Sequence, residues 1–146
     1  MKTKLTKEQI KSLVADAIDA RSFSYSPYSN FKVGAALLTK SGKVFKGCNI
    51  ENAAYTPTVC AERTAVFKAV SEGEKDFEAI AIIGGYDGVE LSTSEPSGPC
   101  GVCRQVLLEF SEDLTIISAN SLDHYYITSL DALVPMPFGP KNLSEK

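Results

Sequence analysis

Cys60-Ala61-Glu62-Arg63-Thr64-Ala65-Val66-Phe67-Lys68-Ala69-Val70-Ser71, then Ala79-Ile80-Ala81-Ile82-Ile83, then Pro99-Cys100-Gly101-Val102-Cys103, is the order of segments that decides how this 146-residue chain folds. In the first segment Ala61, Ala65, Phe67, Ala69 and Val70 supply most of the apolar surface, which predicts a helix over Cys60 to Ser71. The second is a short continuous apolar run within Glu78 to Gly84 and predicts a buried strand. Beyond the third, Val102, Val106, Leu107 and Phe110 fall near helical spacing, which predicts a helix over Cys103 to Phe110. Helices alternating with buried strands argue for a layered α/β domain, with helices packed against a central sheet.

The flanks extend this rhythm. Thr6 and Gln9 stand at capping-box spacing, with Leu5 and Ile10 placed to form a hydrophobic staple. Ile10, Leu13, Val14, Ala17 and Ile18 then repeat at helical period. Arg21 to Asn30 is rich in Ser, Tyr and Pro and reads as a loop. Lys32 to Thr39 and Val44 to Ile50 read as strands joined by the turn Lys40-Ser41-Gly42-Lys43. Glu51 to Val59 is a long connection, and Tyr86 to Pro99 a turn-rich loop. Leu114 to Ala119 and His124 to Thr128 are the last expected strands, and Pro135, Pro137 and Pro140 forbid a long helix in the tail. No internal repeat interrupts residues 1–146, which read as one domain.

Composition narrows the function classes. Apolar residues make up 44% and charged residues 23%, the balance of an ordinary globular chain. No stretch is long and apolar enough for a membrane span, and the N-terminal Met1-Lys2-Thr3-Lys4 segment lacks the apolar run of a signal peptide. A cytoplasmic location and no membrane partner are therefore expected. Net charge is −3, and Lys and Arg are scattered among Asp and Glu, so no nucleic-acid partner is expected.

The four cysteines are Cys48, Cys60, Cys100 and Cys103, and there is one histidine, His124. In a reducing compartment such thiols are ligands, catalysts or buried apolar residues more often than disulfides. With a single histidine, a metal site must lean on thiolates. Cys100-x-x-Cys103 alone could be a redox dithiol or half of a zinc site. Cys60 sharpens the reading, because it opens another expected helix and Glu62 follows it by two. Helix N-termini present unpaired N–H groups and a positive dipole end, and both favour thiolate over thiol. Three thiolates leave zinc one open tetrahedral position for water, as catalytic sites do. Glu62 then stands where a carboxylate could move that water's protons.

A Cys- or His-x-Glu motif followed by Pro-Cys-x-x-Cys is the signature of zinc nucleobase deaminases. The chain resembles the small, homotetrameric cytidine deaminases in which Cys replaces His as the first ligand. The resemblance rests on Phe31-Lys32-Val33-Gly34-Ala35-Ala36, Asn49-Ile50-Glu51-Asn52-Ala53-Ala54-Tyr55, Cys60-Ala61-Glu62-Arg63-Thr64-Ala65 and Pro99-Cys100-Gly101-Val102-Cys103-Arg104-Gln105-Val106. It implies a three-layer α/β/α sandwich around a mixed sheet. It also implies Zn2+ held by Cys60, Cys100 and Cys103, with Glu62 as proton shuttle. Asn49 and Glu51 would hold a sugar hydroxyl and Phe31 would pack on the pyrimidine. Ala61, Tyr55 and Phe138 are the other expected substrate neighbours, the last two near another subunit's site. Arg63 would donate to the ligand sulfurs and offset the excess negative charge of three thiolates on one divalent ion. The implied reaction is hydrolytic deamination of cytidine and 2′-deoxycytidine, a pyrimidine-salvage step, with a small nucleoside as partner. Two departures stand out: the stretch between Gly84 and Pro99 is longer than usual, and Gly98 stands where Ser is common.

Rival readings make different demands. A structural four-thiolate zinc module needs Cys48 as fourth ligand, whereas its strand position suits a small buried hydrophobe. A blasticidin S deaminase shares the zinc motif, and the Asn49-Ile50-Glu51-Asn52 sugar motif speaks against it. Nucleotide and tRNA deaminases call for basic residues around the site and usually His in place of Cys60. His124 belongs to no motif and has no expected catalytic part.

Overall fold

The computed structural model describes residues 3–144, so Met1 and Lys2 of the N-terminal segment and Glu145 and Lys146 of the expected domain lie outside the described residues. Helix α1 (Lys7–Arg21) begins at the expected capping box. The Gln9 N–H donates to the Thr6 hydroxyl at 3.1 Å, and the Thr6 N–H donates to the Gln9 side chain at 2.8 Å. Its apolar stripe of Ile10, Leu13, Val14 and Ala17 is buried.

Strands β1 (Phe31–Thr39) and β2 (Val44–Cys48) form the hairpin, and β3 (Phe77–Tyr86) pairs antiparallel with β1 on its other side. Strand β4 (Thr115–Ala119) runs parallel to β3, and β5 (Tyr125–Ser129) runs antiparallel to β4. The sheet is mixed, in the order β2-β1-β3-β4-β5. The continuous apolar run of β3 has a simple cause: period-two alternation gives each face of the sheet half of it. Ala79, Ala81 and Ile83 join Ile10, Val14 and Ala17 of α1. Ile80 and Ile82 face the other way, into a cluster with α2 (Ala61–Ser71) and α3 (Gly101–Leu108). The short α4 (Leu130–Leu133) closes that side through Leu130. Helices on both faces of a mixed sheet make the expected three-layer sandwich.

Several boundaries move for physical reasons. β3 outgrows the apolar run because it pairs with β1 from Phe31↔Tyr86 to Thr39↔Phe77. β2 stops at Cys48 rather than Ile50, since the Asn49 side chain turns back onto β1. α3 starts at Gly101 and ends at Leu108, instead of running from Cys103 to Phe110. β5 starts after His124, which belongs to the preceding turn.

One glycine sets the depth of the site. A Cβ on Gly47 of β2 would lie 2.5 Å from the Ala61 carbonyl oxygen and 2.5 Å from the Ala65 nitrogen. Only a residue without a side chain lets the first turn of α2 press its backbone onto the strand.

Candidate active site

Cys60 and Cys100 are the N-caps of α2 and α3, both in extended backbone, and neither thiol makes a capping bond to the backbone of its own helix. The helix ends therefore direct unpaired N–H groups and positive dipole ends at sulfurs that remain free to ligate. Cys103 sits one turn into α3 and is buried. Cys60 Sγ lies 3.7 Å from Cys100 Sγ, which lies 3.5 Å from Cys103 Sγ. Tetrahedral Zn–S bonds of about 2.3 Å separate ligand sulfurs by about 3.8 Å, so the three thiols have the spacing of a zinc site. Among the described residues the metal-competent cluster is these three, and Cys48 stands apart at the end of β2. The four-thiolate reading fails on this point.

The neighbours are charged to match. Arg63 Nη2 donates to Cys60 Sγ at 3.5 Å. The Cys60 thiol is pulled down to about 5, first by the hydrogen bond with Cys103 and then by donation from Arg63 and Cys100. Cys103 moves up, because it shares a proton with Cys60 and is buried. Arg63 Nε is buried and has no hydrogen-bond partner among the described residues. Glu62 is buried at 4% exposure, and burial pushes its carboxyl up to about 7, aided by the charge of Cys60.

These groups open onto a cavity of about 440 Å3, a size that suits a small ligand. Cys60, Cys100 and Glu62 form its floor. Phe31, Val33, Val59 and Ile82 give it apolar walls, and Phe31 is held edge-to-face by Tyr86 with ring centroids 5.1 Å apart. Ser97 and Gly98 close one side from the long loop before α3. Asn49 and Glu51 line it as well.

Asn49 and Glu51 are heavily engaged. Asn49 Oδ1 accepts from the Ser24 hydroxyl and, at 2.9 Å, from the Val33 N–H, while Nδ2 donates to the Phe31 carbonyl at 2.8 Å. One Nδ2 proton remains free. Glu51 Oε1 accepts from the N–H groups of Tyr28 at 2.9 Å and Ser29 at 3.1 Å, and Oε2 accepts from the Ser29 hydroxyl at 2.5 Å. The Ser29 hydroxyl, then the Tyr28 and Ser29 backbone, hold the Glu51 carboxyl below its ordinary 4.5.

Cys60, Cys100, Glu62, Phe31, Asn49 and Glu51 thus line one space, with Cys103 and Arg63 behind it in contact with the sulfurs of Cys100 and Cys60. Three expected substrate neighbours do not line this cavity. Ala61 is fully buried beneath Gly47. Tyr55 is 71% exposed, packed edge-on to Tyr28 beside a separate hollow with Ser29 and Glu51. Phe138 is 59% exposed, its carbonyl accepting from Gln105 Nε2 at 2.8 Å. Ser24 and Ser29 escaped sequence reasoning because a serine in a Ser-, Pro- and Tyr-rich loop carries no periodic signal.

Comparison with known proteins agrees with this geometry. Residues 7–119 match the family described as the cytidine and deoxycytidylate deaminase zinc-binding region. A cytidine deaminase from Sporosarcina psychrophila is 43% identical over 136 residues, covering 92% of this chain and 95% of that protein. A blasticidin-S deaminase from Bacillus cereus is 31% identical over 94% of this chain and 98% of its own length. The crystal structure of cytidine deaminase from Burkholderia pseudomallei superposes with a TM-score of 0.77 at 45% identity, covering 87% of this chain and 97% of that one. No helix among the described residues is long and apolar enough to cross a membrane. Fold, thiol cluster and sequence together place this chain in the zinc-dependent cytidine and deoxycytidylate deaminase family.

Proposed function

We propose that this chain hydrolyses cytidine and 2′-deoxycytidine to uridine and 2′-deoxyuridine, consuming one water and releasing one ammonia. The observation that carries the reading is a buried carboxylic acid, Glu62, beside three thiols at zinc-ligand spacing on the floor of a nucleoside-sized cavity. Cys60, Cys100 and Cys103 would hold the zinc. Zinc supplies a Lewis acid that makes a water acidic and nucleophilic near neutral pH. Glu62 would take a proton from the attacking water and give it to pyrimidine N3 as the new C–O bond forms at C4. It then carries the proton of the new C4 hydroxyl to the departing amine, so the C4–N bond breaks, C4=O forms and ammonia leaves. A carboxyl raised towards 7 both accepts and releases protons at working pH. Phe31 packs on the ring, and Asn49 and Glu51 hold a sugar hydroxyl. Ala61 supports the floor through its backbone.

The exposed aromatics support a homotetramer in which Tyr55 and Phe138 border neighbouring sites. Phe23 at 73% and Tyr55 at 71% exposure are large apolar surfaces for a lone subunit. Light scattering should report four chains. A cytoplasmic place in pyrimidine salvage, with residues 1–146 as one domain, completes the reading.

The test is loss of cytosine absorbance when purified protein meets cytidine, deoxycytidine, their monophosphates, cytosine and blasticidin S, with and without a zinc chelator. Turnover of the two nucleosides, abolished by chelation, is expected. Preferred turnover of blasticidin S would replace the substrate assignment, and no turnover at all would overturn the reaction.

A further inference from the structure

Asn120 is buried at 5% exposure, yet it takes no part in the chemistry above. It follows β4 and opens the turn to β5. Its Nδ2 donates to two carbonyls of the long loop before α3, Ser94 at 2.9 Å and Ser92 at 3.4 Å. With the amide nitrogen committed to those carbonyls, Oδ1 faces the His124 ring, 2.9 Å from Nδ1. That contact makes a bond only if Nδ1 carries the proton, so the network also fixes the form of His124. His124 is steadied in turn by Tyr126, edge-on at 5.6 Å, and by its own N–H, which donates to the Ser121 hydroxyl at 3.0 Å.

The same loop reaches the cavity three residues beyond Ser94, where Ser97 and Gly98 form a wall. Past that wall it is held again, independently: Arg104 Nε donates to the Pro99 carbonyl at 2.7 Å, directly before Cys100. The two anchors divide the labour. The Arg104 contact secures the thiol end, and the Asn120 contact secures the wall.

We propose that Asn120, oriented by His124, is a positioning residue for substrate binding: it pins Ser92 and Ser94 so that Ser97 and Gly98 stand against the nucleoside. The proposal rests on the deaminase reading above. It answers to the length of the connection between β3, ending at Tyr86, and α3, starting at Gly101, which calls for support between its ends.

The experiment compares zinc-loaded full-length protein with Asn120→Ala, the size-matched Asn120→Asp, His124→Phe and His124→Gln. Asn120→Ala should raise KM for cytidine on the order of tenfold, the scale of one or two lost neutral hydrogen bonds. The kcat should change by less than about twofold, because the reacting groups are untouched. Asn120→Asp should do no better, since it turns acceptors towards two carbonyls. His124→Phe should fall between Asn120→Ala and the parent, while His124→Gln, which keeps a donor, should lie near the parent. Zinc per chain should stay at the parental value throughout. Hydrogen exchange gives a second readout: the Thr93 and Ser94 amides, bonded to Glu90 and Leu91 carbonyls, should lose protection in Asn120→Ala. An unchanged KM overturns the proposal, as does a lower kcat or zinc content at constant KM, which a merely structural role would give. If Asn120→Ala fails to fold, the exposed-turn pair His124→Phe and His124→Gln decides. A parent without cytidine turnover overturns the reaction instead, and the exchange measurement still decides whether Asn120 holds the loop.

Discussion

The thiol side of the cavity and the Asn49–Glu51 side, the sugar end of the proposed reading, are built on opposite plans. Around Cys60 the groups are out of their ordinary states: a thiol drawn down to about 5, a carboxyl raised to about 7 and an arginine whose Nε has no partner among the described residues. Around Asn49 and Glu51 nearly every polar atom already has a partner in the loop 24–33. Chemistry needs groups poised between protonation states, and recognition needs groups that do not move. The elements differ to match: helix N-termini, which impose field, carry the first set, while a strand end and a loop, which impose shape, carry the second.

The sharpest break of this contrast is Glu62→Gln. An amide keeps the shape and cannot carry a proton, so turnover should fall by about 10²–10⁴-fold with zinc and fold retained. Near-normal turnover in a zinc-loaded Glu62→Gln protein would sink the mechanism. Arg63→Ala comes next. It removes the donor to Cys60 Sγ, and zinc affinity in a chelator competition should drop by about 10–100-fold, with Arg63→Lys only partly restoring it because a point charge cannot replace the planar fork.

At the sugar end the effects should be smaller and of another kind. Asn49→Ala strands the Val33 N–H and the Phe31 carbonyl, so it should cost about 1–3 kcal/mol in denaturant melts as well as raise KM. The Cys48→Ala change should leave zinc and rate at parental values, since Cys48 lies outside the cluster. The last expected effect is on pH dependence. Donors lower the Glu51 carboxyl in the folded chain, so its stabilising contribution is complete above its ordinary 4.5 and is lost as pH falls through the lowered value. Acid unfolding of Glu51→Gln should lack that part of the pH dependence.

How much of this was legible in the sequence follows the same divide. The thiol end could be read because helix starts and Cys spacing are local: Cys60, Glu62, Cys100 and Cys103 lie within one or two turns of a cap. The alternation of Ile80 and Ile82 with Ala79 and Ala81 was likewise written in a period of two. The sugar end was legible only through resemblance, because the bonds of Ser24 to Asn49 and Ser29 to Glu51 span 25 and 22 residues and leave no pattern. The start of α3 was misplaced for a related reason. Cys100 and Gly101 are apolar-neutral, and their place at the cap comes from packing beside Cys60. Nothing local to Asn120 announces that its amide reaches back to Ser92 and Ser94.

Gly47 gives the molecule a ruler. With no side chain between β2 and α2, the first turn of α2, which carries Glu62 just after the Cys60 cap, rests by backbone contact on the strand that leads into Asn49. Under the proposed deaminase reading, that contact governs how far apart the substrate's reactive carbon and its sugar hydroxyl are held. A nucleoside homologue with a methylene inserted between ring and sugar should therefore be turned over less well than the parent nucleoside.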